Sequence, residues 1–217
     1  MVEKAHRNRK RDRARHEILE AARTVVLERG LASFTLDDVA NRLGLTKAAL
    51  YYYFRSKDDL AFELFLEEWQ RVALAVHDAA ADASSGADAL EALVRTYVGH
   101  YRARPELFLL THAEIARADN SHLIGPEQLA RIRPLNELLY GAVEDKLEAD
   151  RSAGRAPALD NARRLAFVAH LAAVGLLAFT TMVEAVGDPL RYGDEELIGE
   201  ITGLLRAALG PSRGEEP

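Results

Sequence analysis

Apolar residues in this chain recur at three- and four-residue intervals almost throughout, and no stretch of any length alternates apolar with polar residues. A helix turns one face to a core at that spacing, whereas a half-buried strand needs the alternation. The pattern predicts an all-α fold of about nine helices. Ile18, Ala22, Val25 and Val26 share a face within 12–29, and Gly30 can supply the left-handed stop. A short helix is predicted over 36–43, with Thr35 as N-cap and Asp38 as its acidic partner. Gly44 makes a turn, and Thr46 caps a second short helix through Tyr53. Ser56 caps a long helix over 57–83 whose first turn carries Asp58 and Asp59. Further helices are predicted over 88–103, 105–117, 127–150, 160–186 and 194–209. Pro134 marks either a kink in its helix or that helix's true start, and Asp160 is the expected N-cap of the helix that follows.

Two short helices joined by a glycine turn are the minimum of a helix-turn-helix. Val39, Ala40, Leu43 and Leu45 supply its packing surface, and Gly44 permits the sharp turn. The second helix would then offer Thr46, Lys47 and Ala48 to a DNA major groove: a hydroxyl, a cation, and a methyl small enough for close backbone approach. Tyr51 and Tyr52 lie farther along, where phenols can bond phosphates, and Lys57 is placed for another phosphate. Leu50 and Phe54 read as core. Tyr53 is open between a phosphate contact and packing.

The charge of the chain agrees once it is divided. The net value is −6, yet residues 1–60 carry 13 Lys and Arg against 9 Asp and Glu, while 61–217 carry 15 against 25. A positive N-terminal module on an acidic body lets only one side face phosphate. Lys4, Arg7, Arg9, Lys10, Arg11, Arg13 and Arg15 make the beginning of the chain strongly basic. Residues 1–11 read either as an arm that follows phosphates or a minor groove, or as a solvated tail. There is no cysteine, which excludes disulfides, thiolate zinc sites and cysteine nucleophiles. With no apolar leader run at the basic N-terminus, a cytoplasmic location is expected.

The run from Gly30 to Ala40 and that from Gly44 to Leu60, above all Leu50-Tyr51-x-x-Phe54-x-x-Lys57-x-x-Leu60, resembles the N-terminal signature of TetR-type repressors. The resemblance covers about residues 12–60. It implies a three-helix DNA-binding domain over 12–56 and a larger helical domain over 57–217 for effector binding and dimerisation. It also implies that Thr35, Thr46, Lys47, Ala48, Tyr51, Tyr52 and Lys57 lie at or near DNA. Ala48 stands where glycine is frequent in that family, which bears on base choice.

Such a body implies a pocket among the middle helices for a small, largely apolar organic effector. Helical faces offer Leu66, Trp69, Ala73, Tyr97, His100, Tyr101, Phe108, His112, Ile115, Val174 and Ala178 as its lining, with ordinary core as the alternative for each. The last two helices are expected to form a dimer with a symmetry mate. Leu171, Val174, Gly175, Ala178, Phe179 and Met182 give one an apolar surface, and Leu197, Ile198, Ile201, Leu204, Leu205 and Leu209 give the other a stripe. Leu171, Gly175, Phe179, Met182, Ile198, Ile201 and Leu205 are taken as the interface.

Residues 165–183 approach the length of a membrane span, but their Ala and Gly content and Thr180 and Thr181 favour a buried or interface helix. His77, His100, His112 and His170 lie in body helices, yet no two are three or four residues apart, so no metal or other cofactor is expected. No nucleophile–base pair or phosphate loop points to an enzyme. The function these readings converge on is a homodimeric repressor released from a palindromic DNA operator by a small-molecule effector. An activator and an all-helical protein-interaction module are the alternatives.

Overall fold

The computed structural model describes residues 2–108, 111–112, 124–186 and 192–210. Nine α-helices and no strand occur among them: α1 (Val2–Arg29), α2 (Leu36–Leu43), α3 (Lys47–Tyr53), α4 (Lys57–Ala81), α5 (Gly86–Arg102), α6 (Pro105–Phe108), α7 (Pro126–Ser152), α8 (Ala162–Val186) and α9 (Asp194–Ala207). They divide into two compact units, residues 1–69 with 106–130, and residues 70–105 with 131–217. The first unit thus reaches along α4 to Trp69, beyond residue 56.

In the first unit α1 packs on α2 and α2 on α3. Ile18, Ala22, Val25 and Val26 of α1 are buried, as the spacing requires, together with Phe34, Val39, Leu50 and Phe54. Helix α1 begins at Val2 rather than near residue 12, so residues 2–11, open between an arm and a solvated tail, are a helical extension. Lys, Arg and Glu are good helix formers, and they sustain a helix there without an apolar face. Arg15 reaches Glu63 of α4 at 2.6 Å, and its guanidinium lies 5.0 Å over the Phe54 ring. Arg23 bridges Glu20 at 2.5 Å and Glu67 at 2.8 Å.

In the second unit α5 packs on α8 and α9, and α8 on α9. Ala166, Ala169, Ala173, Leu176 and Leu177 form the buried side of α8. By length and composition α8 is the one described helix able to cross a membrane, over Ala162–Val183. One side of it, with His170 set among core residues, is buried within the unit, and the other is exposed.

Three local expectations change. Helix α8 is capped by Asn161, whose Oδ1 accepts the Arg164 N–H at 2.7 Å, while Asp160 pairs with the Arg164 side chain. Helix α7 starts at Pro126 and runs through Pro134; the proline is exposed, so water can serve the carbonyl that its missing N–H leaves open. Helix α5 starts at Gly86, two residues early.

That start is tightly built. The Gly86 N–H donates to the buried Asp150 carboxylate at 2.7 Å, and Arg155 donates to the same carboxylate at 2.6 and 2.9 Å. A Cβ on Gly86 would come within 2.9 Å of the Leu147 Cα, whereas one on Gly99 would meet nothing. Gly86→Ala is therefore expected to lose about 1–3 kcal/mol of stability in chemical denaturation through overpacking. Gly99→Ala should gain about 0.5–1 kcal/mol by reducing the entropy of the unfolded chain.

Candidate nucleic-acid interface

The candidate interface is set by two caps and a turn. Thr35 is the N-cap of α2: its Oγ1 accepts from the Asp38 N–H at 3.2 Å, and the Asp38 carboxylate accepts from the Thr35 N–H at 2.9 Å. The hydrogen bonds from Thr35, together with Arg29 at 2.8 Å, hold the Asp38 carboxyl below the usual range. Gly44 ends α2 at φ 64°, a left-handed conformation that costs glycine little. Thr46 then caps α3 by accepting the Ala49 N–H at 3.2 Å.

Helix α3 has only seven residues, too few to be stable alone. Leu50 and the following Phe54 anchor it in the core, neither more than 1% exposed. The opposite face is thereby turned outward. Thr35, Thr46, Lys47, Ala48, Tyr51 and Tyr52 are all exposed, Tyr51 by 48% and Tyr52 by 74%. Tyr53 is half-buried and meets Tyr52 edge-on at 5.1 Å.

The two lysines have partners. Lys47 Nζ lies 2.8 Å from Asp37 Oδ2, and this hydrogen bond raises the lysine pKa above its ordinary value. Lys57 donates to the Ala32 carbonyl at 2.6 Å and sits 4.8 Å over the Phe34 ring. An ammonium has three donors, so each lysine keeps further N–H groups. Sequence reasoning missed these partners, as it missed the Arg42–Glu28 pair at 2.7 Å; exposed pairs of this sort depend on which loop faces which helix.

The expected effector residues fall into both units. Trp69, Phe108 and His112 come together in the first: Phe108 stacks on His112 at 4.5 Å, and Trp69 lies 6.4 Å from it. Burial pushes the His112 imidazole down to about 4. Leu66 is half-buried in the same unit. Ile115 lies outside the described residues. In the second unit Tyr97, Tyr101 and Ala73 are fully buried, and half-buried His100 meets Tyr101 edge-on at 5.0 Å. Tyr97 lies 5.1 Å from Tyr101 and 4.6 Å from His170, and the Tyr140 hydroxyl is 2.5 Å from His170 Nδ1. Burial pushes the Tyr140 phenol up to about 12 and raises that of Tyr97. Tyr140 and His170 were not among the expected lining, because helical spacing cannot reveal which turns of different helices meet. Val174 is half-buried, and Ala178 is exposed on the outer side of α8, so Ala178 does not line the core.

The expected dimer residues also divide. Leu171, Phe179 and Met182 are about half exposed or more, and Gly175 is exposed with open space around it. Ile198 and Leu205 are instead buried within the protomer, and Ile201 is half-buried. The outward side of α9 carries Leu204, 73% exposed, among the exposed Glu196, Glu200 and Gly203. Among the described residues the four body histidines do not gather into a metal-sized group. His16, Glu20 and Glu67 do, but Arg23 already bridges their two carboxylates.

Residues 18–64 match the family described as bacterial regulatory proteins, tetR family. The HTH-type transcriptional activator FasR of Mycolicibacterium smegmatis is 25% identical over 140 residues, covering 64% of this chain and 61% of FasR. The HTH-type transcriptional repressor KstR2 of Rhodococcus jostii is 28% identical over 136 residues, covering 60% of this chain and 63% of KstR2. The chain therefore spans about three fifths of the length of these relatives. Among solved structures, FadR from Bacillus subtilis in complex with stearoyl-CoA superposes with a TM-score of 0.68 at 15% identity, covering 90% of this chain and 97% of FadR. A TetR/AcrR-family regulator from Thermobifida fusca gives 0.61 at 23% identity, covering 94% and 99%. The structural likeness shows the fold of the chain, and residues 18–64, which hold α2 and α3, are what matches the tetR family of bacterial regulatory proteins.

Proposed function

We propose that this chain is a cytoplasmic, homodimeric transcriptional repressor that binds a palindromic DNA operator and is released from it by a small organic effector. The observation that carries the reading is the outward face of α3, where Thr46, Lys47, Ala48, Tyr51 and Tyr52 are exposed side by side above the buried Leu50. In this reading the first turn of α3 meets base edges in the major groove, while Thr35, Tyr51, Tyr52 and Lys57 hold phosphates on either side. The residue boundaries carried from the sequence, a reading head over 12–56 and a body over 57–217, belong to the same proposal.

Two reading heads need a dimer. The outer side of α8 carries Phe167, Leu171, Phe179 and Met182, all exposed, and α9 adds Leu204. An exposed apolar stripe of this kind supports an interaction surface there. Pairing with its symmetry mate would form a four-helix bundle in which Gly175 permits close approach. The effector would favour a dimer whose heads no longer match the operator spacing.

The effector is proposed to be largely apolar with a polar end. The buried Tyr97, Tyr101, Tyr140 and His170 of the second unit offer hydrogen-bonding groups inside an otherwise apolar core. FadR, of the same fold, has been solved with stearoyl-CoA, which makes a long-chain acyl-CoA the first compound to test.

Three outcomes are expected. Tyr52→Ala with Lys57→Ala should weaken operator binding on the order of 10–100-fold and flatten its salt dependence; an unaltered footprint would remove these residues from the interface. Leu171→Glu with Phe179→Glu should give a folded monomer by sedimentation, with operator affinity reduced about 100-fold through lost bivalency; a persisting dimer would place the interface elsewhere. Stearoyl-CoA should release the wild-type protein from its operator at micromolar concentration and raise transcription in a purified system, whereas release by no acyl-CoA would exclude that class.

A further inference from the structure

The acidic residue at the second position of α2 has no evident task inside the protomer. Thr35, Asp38 and Arg29 complete the cap of α2 among themselves. Asp37 stands beside them, about half exposed, and its Oδ2 lies 2.8 Å from Nζ of Lys47, the first residue of α3, which is equally exposed. A carboxylate on the surface that is to meet DNA repels phosphate. Its ordinary benefit, a favourable charge at a helix N-terminus, is worth only about 0.3–1 kcal/mol, and Asp38 already supplies it.

We propose that Asp37 is a specificity-determining residue, which holds the Lys47 ammonium on the outer face of the helix-turn-helix and so withholds it from phosphates. The proposal rests on the DNA-binding reading above. Binding to DNA of any sequence draws its free energy almost wholly from cations that displace counterions. A lysine shared with a carboxylate displaces fewer. Operator binding adds hydrogen bonds to base edges, and a lysine donates best to guanine O6 and N7. Asp37 uses one of the three ammonium donors, leaving two for a base. The ion pair therefore penalises non-specific binding fully and operator binding only in part. Its neighbours follow the same arrangement: Arg29 is paired with Asp38 and Arg42 with Glu28. Those two carboxylates differ from Asp37, because Asp38 also caps α2 and Glu28 lies on α1.

The test compares full-length wild type, D37N, D37E, K47Q and D37N/K47Q on two duplexes of equal length, the selected operator and a random sequence, across a salt series. D37N is expected to bind random DNA about fivefold more tightly, with a slope of log affinity against log salt steeper by about one. Operator affinity should change less, so the ratio between the two falls. D37E, which keeps the charge, should stay near wild type. In the K47Q background the gain from D37N should largely disappear, because no ammonium is released. Unchanged random-DNA affinity in D37N, or an equal gain in both backgrounds, would overturn the proposal while leaving DNA binding in place. Failure of the wild type to select any DNA would overturn both. Both side chains are exposed, and coincident thermal unfolding of all variants verifies that folding is not what the experiment reads.

Discussion

The turn at Gly44 and the burial of Leu50 decide what this molecule can present to a partner. Seven residues of α3 cannot hold a helix by their own hydrogen bonds. The helix exists because Thr46 satisfies its first turn and because Leu50 and Phe54 are locked into a core closed by Phe34 and the buried face of α1. Once Leu50 points inward, Ala48 and Tyr52 on the opposite side of α3 must face outward, and Lys47 and Tyr51 flank them, also exposed. A residue with a Cβ at position 44 would resist the positive φ that starts this sequence of consequences.

The second organising feature is the way charge is distributed. The protein as a whole is acidic, yet its first sixty residues carry the positive excess. Within that positive region the cations are restrained: Arg15 is bound to Glu63, Arg23 to Glu67, Arg42 to Glu28 and Lys47 to Asp37. The two exposed pairs, Arg42–Glu28 and Lys47–Asp37, add little stability. Their effect is on what the surface offers to a polyanion, since each paired cation contributes less to indiscriminate attraction.

Much of the N-terminal unit was legible from residues alone, because its instructions are local. Thr35 with Asp38, Gly44, Thr46 and Ser56 are caps and turns whose chemistry acts within four residues, and each stands where the spacing put it. The outer face of α3 followed directly. What sequence could not show was long-range. Ile198 and Leu205 have the same character as Leu204, and only the packing of α9 on α5 and α8 decides which of them turns inward. The meeting of Tyr97, Tyr140 and His170 from three helices is of the same kind. Two misses were local but ambiguous: Asp160 and Asn161 are both good caps, and the charged residues before 12 carry helix propensity without the periodicity that announces a helix.

The central claim is that the exposed turn of α3 reads DNA as one half of a symmetric pair. Selection of the full-length protein on random duplexes, followed by hydroxyl-radical footprinting, tests it most directly. The account predicts enrichment of an inverted repeat, protected as two patches on one face of the duplex and separated by whole helical turns of about 34–36 Å each. Enrichment of no sequence, or a single unpaired half-site protected by the intact protein, would contradict it.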